Sequence, residues 1–374
     1  MEAIKNGGPN IGPQESPSDI LADTAEENKS LFLLKSANKW MEIAATMPDP
    51  KRLFDAFWNE GELCILFADT GAGKSLLAVQ IGVGIASGKA RLLEMDAQPP
   101  QPVLYFDFEM GPKQFENRYK DGNGFTFTFP EDFYRVEINP DGEIPAGANE
   151  EAHYFKELER AIADSGARVV IVDNITYLDL RNGNEKAREA LPLMKYLKRL
   201  KKRHGLSILA LAHTPKRDQH KPISQNDLQG SKMLINFCDA AFAIGQSCRE
   251  EGIRYLRQVK QRQCAQRYGV GNVVLCQIEK LGGFTGFTKK GFGDENEHLR
   301  ERKKKDVERM IVDLKKRCPN ISDRKIAERL GTYPMEVGRV LKEHRDELPA
   351  PDFDPAQIES QAAMDLNEEE DETG

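Results

Sequence analysis

The segment that most restricts the fold is a short apolar run, Glu62 to Phe67 (ELCILF), which passes directly into Ala68-Asp69-Thr70-Gly71-Ala72-Gly73-Lys74-Ser75 and then into the helical pattern KSLLAVQIGVGIA. A strand that turns through a glycine-rich loop into a helix presents backbone N–H groups at the positive end of that helix, a geometry suited to polyphosphate oxygens. Gly71 and Gly73 allow the tight curvature. Lys74 is placed to bind β and γ oxygens and the Ser75 hydroxyl to hold Mg²⁺. Ala68, Asp69, Thr70, Gly71, Ala72, Gly73, Lys74, Ser75 and Leu76 are therefore the candidate nucleotide-binding residues, with ATP and Mg²⁺ as the expected ligands. Ala68 stands where the motif has its first glycine, a change such loops tolerate.

From Glu62 onward, strand-like runs alternate with helical patterns: PVLYFDF then PKQFENRY, RVVIVD then EKAREALPLMKYLKRLKKR, LSILALA then a polar loop and SKMLINFC. This alternation predicts an α/β fold with a parallel central sheet flanked by helices. DAAFAIGQ, RYLRQV, NVVLCQI and GFTGFT, separated by Gly-rich turns, predict antiparallel strands that extend the sheet. LFLLKSANKWMEIAAT (31–46) has helical spacing and forms a short lead-in.

A phosphate loop needs a second acid to position its metal, and the apolar run Val169–Val172 ends in Asp173, the candidate partner of Ser75 for Mg²⁺. The neighbouring Asn174 cannot accept a proton, so the residue that activates water must come from elsewhere. Glu109, after the strand VLYFDF, is the leading candidate, with a solvated strand-end acid as the alternative. Asp107 faces the same side, deeper. His213, just after LSILALA, is either a sensor of the γ-phosphate or a structural histidine.

Charge and composition bound the partners. The net charge is −7, yet residues 346–374 hold eleven acids and no Lys or Arg, so removing those eleven leaves +4 on the rest of the chain. Local patches rather than the total decide contact with phosphates. No apolar run approaches the roughly 18 residues needed to cross a bilayer, and the polar, Gly/Pro-rich start lacks a secretory pattern, so a cytoplasmic protein without membrane contact is expected. Six cysteines without a C-x-x-C pair predict reduced thiols rather than a zinc site or disulfide framework.

The ordered set of phosphate loop, FDFEMGPKQFENRY, VVIVDNITYL, ILALAHTPKR, DLQGSKMLINFCDAAFAI and VKQR resembles hexameric replicative helicases of the DnaB type, particularly the plasmid RepA-like ATPases, over about residues 50–290. The resemblance implies a RecA-like P-loop NTPase fold and a DNA-dependent ATPase, a helicase in replication of a plasmid or mobile element. It implies a homo-oligomeric ring, a hexamer, in which Lys260 and Arg262 of the Lys-x-Arg pair reach the γ-phosphate held by a neighbouring subunit. A basic strand facing solvent, with Arg254, Arg257 and Arg267 nearby, is the plainer alternative for that pair. The resemblance also places single-stranded DNA against channel loops 175–186 and 214–229, the latter with Lys216, Arg217, His220 and Lys221. The chain departs from the chromosomal enzymes in two respects. About 50 residues precede the core, too few for the helical domain that meets primase, and His213 stands where those enzymes tend to have Gln.

Residues 323–342 read as a helix-turn-helix: Ile326, Ala327 and Leu330 form one inner face, Gly331 the turn, and Val337, Val340 and Leu341 the other, with Ser322 as cap. Arg324, Lys325, Arg339, Lys342 and the Arg300–Lys305 cluster are candidates for duplex phosphates; a winged-helix-like module used for protein contact is the alternative. The expected organisation is a disordered 1–30, an ATPase domain over 31–293, the helix-turn-helix module over 294–346 and an acidic disordered tail over 347–374. A non-translocating ATP switch that acts through this module competes with the motor, and a recombinase filament is a third reading.

Overall fold

The computed structural model describes residues 31–348 apart from 90–91, 94–97, 176–189, 215–216, 229–230 and 302–303. The expectations for residues 1–30, for nearly all of the acidic tail and for most of the first channel loop fall outside the described residues. The chain divides into two compact units, the first ending at Arg300.

The first unit begins with helix α1 (Ala37–Thr46), shorter than the apolar spacing suggested because Ser36 caps it by accepting from Lys39 N at 3.2 Å. A two-stranded ribbon of β1 (Arg52–Phe54) and β2 (Trp58–Asn59) leads into β3 (Leu63–Ala68) and α2 (Lys74–Ser87). Then follow β4 (Val103–Asp107), α3 (Pro112–Arg118), β5 (Phe133–Val136), α4 (Glu150–Ser165), β6 (Val169–Asp173), α5 (Ala190–His204), β7 (Ser207–His213), α6 (Ser231–Phe237) and β8 (Ala240–Gln246). The antiparallel strands β9 (Ile253–Gln261), β10 (Val273–Leu281) and β11 (Phe284–Gly293) complete it.

The main sheet has nine strands in the order β11-β10-β9-β8-β3-β7-β6-β4-β5. The run from β5 to β8 is parallel, and β9 to β11 continue it antiparallel. Because side chains alternate along a strand, Cys64, Leu66 and Ala68 of β3 enter the core beneath α2, whereas Leu63, Ile65 and Phe67 enter the core beneath α4, α5 and α6. A sheet covered on both faces explains why its parallel strands read as unbroken apolar runs. Gln80 of α2 donates through Nε2 to Phe287 O at 2.9 Å and accepts from Phe287 N at 2.7 Å, which fastens the phosphate-loop helix to β11.

Residues 294–300 stay with this unit instead of opening the next. The Glu295 carboxylate accepts from Ile223 N at 2.7 Å and pairs with Arg257 at 2.9 Å, and Arg300 N donates to Gln219 O at 3.0 Å.

The second unit holds helices α7 (Lys304–Arg317), α8 (Asp323–Leu330) and α9 (Pro334–Glu343) around Ile311, Val312, Ile326, Ala327, Val337 and Val340. Ser322 accepts from Lys325 N at 3.3 Å, and Gly331, at φ +65°, ends α8 in a left-handed turn that favours glycine. The described residues of this unit form helices and a 3₁₀ turn, with no strand among them. After α9 the chain enters the 3₁₀ turn Arg345–Glu347.

Candidate active site

Three strands deliver the chemistry to one end of the sheet. The phosphate loop leaves β3 at Ala68, the acid Asp173 ends β6, and Asp107 ends β4 directly opposite it in register. Gly71 and Gly73 adopt φ +77° and +104°, the left-handed curvature that turns the loop's N–H groups inward. At Gly73 there is a second constraint, since a Cβ would meet Ile278 Cδ1 and Phe287 Cζ at 2.9 Å. The turn therefore rests on the β10–β11 hairpin. Arg254 on β9 secures it further by donating from Nε to Ala72 O at 3.0 Å.

Lys74 is buried, 7% exposed, and burial lowers its ammonium below the usual lysine range, against the pull of Asp173, Glu109 and Asp69. Its Nζ lies 3.0 Å from Ala68 O, 3.3 Å from Asp69 O and 3.3 Å from His213 Nδ1. His213 Nε2 lies 3.5 Å from Glu109 Oε1 and 2.9 Å from Asn174 Nδ2, and the Asn174 amide donates to that same carboxylate. Glu109, His213, Asn174 and Lys74 thus form one contiguous polar chain. Thr70 and Gly71 are exposed, Asp69 and Ser75 half-buried, and Leu76 packs against the core beneath α2.

Asp173 is buried to 1% and hydrogen-bonded to Ser75 and Tyr105. Burial raises its carboxyl from 3.8 to about 6; the two hydrogen bonds oppose that rise, and the charges of Glu109 and Asp107 add to it. Asp107 is already committed. Its Oδ1 accepts from Glu109 N at 3.2 Å and Met110 N at 3.0 Å, and its Oδ2 pairs with Arg135 at 2.9 Å. It shapes the turn that carries Glu109, while Asp173 is the acid beside Ser75.

This donor set fits Mg²⁺ with a nucleoside triphosphate. A hydroxyl and a carboxylate meet at the start of the phosphate-loop helix, the Lys74 ammonium lies beside the loop, and the loop's backbone has the curvature that polyphosphate binding uses.

The structure does not bring Lys260 and Arg262 to this site. Lys260 pairs with Ala241, level with Ile65, three residues or about 10 Å of strand rise before the end of β3, and its Nζ donates to Ile235 O. Arg262 donates to Asn236 O at 2.9 Å and lies 3.8 Å from Asp239. Of their neighbours, Arg254 holds the phosphate loop and Arg257 pairs with Glu295, while Arg267, paired with Asp55, stays 57% exposed as a solvent-facing cation. Arg217, a candidate DNA-contacting cation, lies against the phosphate loop. Its side chain is only 6% exposed and lies 3.8 Å from Asp69 of the phosphate loop. Of its loop, His220 and Lys221 remain at the surface or close to it, and Lys216 lies outside the described residues. In the second unit Arg324, Lys325, Arg339 and Lys342 are all exposed, and Arg339 is paired with Glu308 and Glu343.

Sequence reasoning missed Tyr105, Arg135 and Arg254. Each acts across strands, and their spacing in the chain carries no signal of it.

Fold and site together define a P-loop ATPase of α/β architecture. The family described as AAA domain matches residues 30–219, just over half of the sequence, and the chain belongs to that family. No curated protein matches it. Among solved structures, a KaiC-like protein from the hyperthermophilic archaeon Pyrococcus horikoshii OT3 is similar at 13% identity with a TM-score of 0.42, over 62% of this chain and 90% of that one. Among the described residues no helix is long and apolar enough to cross a membrane.

Proposed function

We propose that this chain is a ring-forming, DNA-dependent ATPase whose subunits complete one another's sites, working as a RepA-like helicase on single-stranded DNA. The observation that carries the reading is a separation. Lys74, Ser75, Asp173 and Glu109 converge at one end of the sheet, while Lys260 and Arg262 sit near the other end, where they can act on a triphosphate only if a second subunit supplies it. Cations brought across an interface stabilise charge that develops during phosphoryl transfer and tie hydrolysis to subunit geometry.

In this reading the loop 68–75 and Lys74 grip the phosphates, and Ser75 and Asp173 hold the metal. Magnesium supplies charge neutralisation on the phosphate oxygens when bound. Glu109 accepts the proton of the attacking water, its carboxylate held by the Asn174 amide with His213 beside it. His213 touches both Lys74 and the Glu109 side, so it links the phosphate grip to the base and to the loop that begins at Thr214. That loop, with His220 and Lys221, and the loop after β6 face DNA in a ring of this kind.

A partial-duplex unwinding assay with ATP tests the proposal, run beside Lys74→Ala and Glu109→Gln. Strand displacement by the wild type and its loss in both variants is the expected result. Hydrolysis on single-stranded DNA without any displacement would sink the motor and leave a nucleotide switch. Inactive Arg262→Ala should regain hydrolysis when mixed with Glu109→Gln, since the mixture contains interfaces with an intact base on one side and an intact Arg262 on the other. A mixture that stays inactive counts against catalysis across subunits.

A further inference from the structure

We propose that Tyr105 is a positioning residue for the metal-binding carboxylate: its hydroxyl fixes Asp173 in the orientation in which that side chain and Ser75 receive Mg²⁺. The inference rests on the nucleotide reading of the site and adds a residue that the phosphate-loop motif does not contain.

Tyr105 lies on β4, next to β6, and its hydroxyl donates to Asp173 Oδ2 at 2.7 Å. The ring is 0% exposed and stacked on Phe133, with centroids 6.0 Å apart and an interplanar angle of 24°, so it holds one rotamer. The competing acid, Asp107, is occupied by Arg135 and two backbone N–H groups, which leaves Asp173 as the carboxylate whose orientation decides the site. Phenylalanine would fill the same space among the aromatic rings. What the hydroxyl adds is a donor aimed at one oxygen of a buried acid, and groups in this relation to a ligating carboxylate set its direction and its affinity for metal.

The test is Tyr105→Phe, read by titrating Mg²⁺ into protein with a fluorescent ADP analogue. We expect the Mg²⁺ midpoint to rise about tenfold while nucleotide affinity in EDTA is unchanged. A purely structural hydroxyl would lower the urea midpoint and leave the Mg²⁺ curve where it is, and that outcome overturns the proposal. A second measurement guards against a general loosening of the core. In an Asp173→Asn background the same substitution should no longer move the residual Mg²⁺ response, because the coupling has lost its partner; an equal shift in both backgrounds also overturns it. Absence of any Mg²⁺-dependent nucleotide binding by the wild type would instead remove the nucleotide reading itself, a distinguishable failure.

Discussion

The side-chain amide of Asn174 donates to Oε1 of Glu109, joining the tip of β6 to the turn after β4. A carboxylate that is 44% exposed would otherwise sample several rotamers, and the amide narrows them to one. Asn174→Ala should lower kcat about tenfold, since misplacing a catalytic group by an ångström costs up to about a hundredfold. Nucleotide affinity should not change. Glu109→Gln should lose roughly 10²- to 10⁴-fold in kcat, the usual contribution of a general base. Single-turnover hydrolysis and equilibrium nucleotide binding, measured side by side, check both; an Asn174→Ala enzyme with wild-type kcat would show that the contact is idle.

The two loop glycines should respond differently to a methyl group. Gly71→Ala meets nothing within 4 Å and suffers only backbone strain, on the order of 1 kcal/mol. Gly73→Ala has the same kind of strain and also drives its Cβ into Ile278 and Phe287. Thermal unfolding should rank Gly73→Ala well below Gly71→Ala, and equal losses would contradict the packing of the hairpin on the loop.

Asp173 links stability to pH. Its carboxyl titrates near 6 in the folded chain against 3.8 when free, so between those values the native state holds the extra proton and stability falls as pH rises. Above pH 6 the penalty is constant at roughly 3 kcal/mol for the ligand-free protein. Asp173→Asn removes it and should raise Tm at pH 7–8, with the gain shrinking towards pH 4, while Mg²⁺-dependent hydrolysis is lost. Calorimetry across that range checks the sign, and a variant less stable than the wild type at pH 8 would contradict the burial argument.

Arg217 and Lys221 belong to the same loop yet should behave as different kinds of residue. Arg217→Ala should weaken nucleotide binding, because its guanidinium faces Asp69, and leave the salt dependence of single-stranded DNA binding untouched. Lys221→Ala should do the reverse, reducing the log–log salt slope by about 0.7 if it meets one phosphate. Fluorescence anisotropy at several salt concentrations separates the two.

Local patterns in the chain made much of this protein legible. The strand-to-loop-to-helix passage through Gly71, Gly73, Lys74 and Ser75 is contiguous, so its geometry follows from backbone preference alone. The apolar runs that end at Asp107 and Asp173 announce a buried parallel sheet with acids at its tips, and Ser322 and Gly331 mark helix ends by their own conformational chemistry. Strand order, in contrast, is settled by which faces pack best, and from that order came the facts invisible in the sequence. Tyr105 reaches Asp173, Arg254 holds Ala72, Arg217 turns inward to Asp69, and Lys260 and Arg262 lie away from their own phosphate loop. Amino-acid sequence by itself determined which groups exist and how each short segment bends, because those depend on neighbours along the chain. Only the tertiary structure decided which charges are spent on one another and which remain for a ligand, because pairing depends on distance in space and on the water that burial removes.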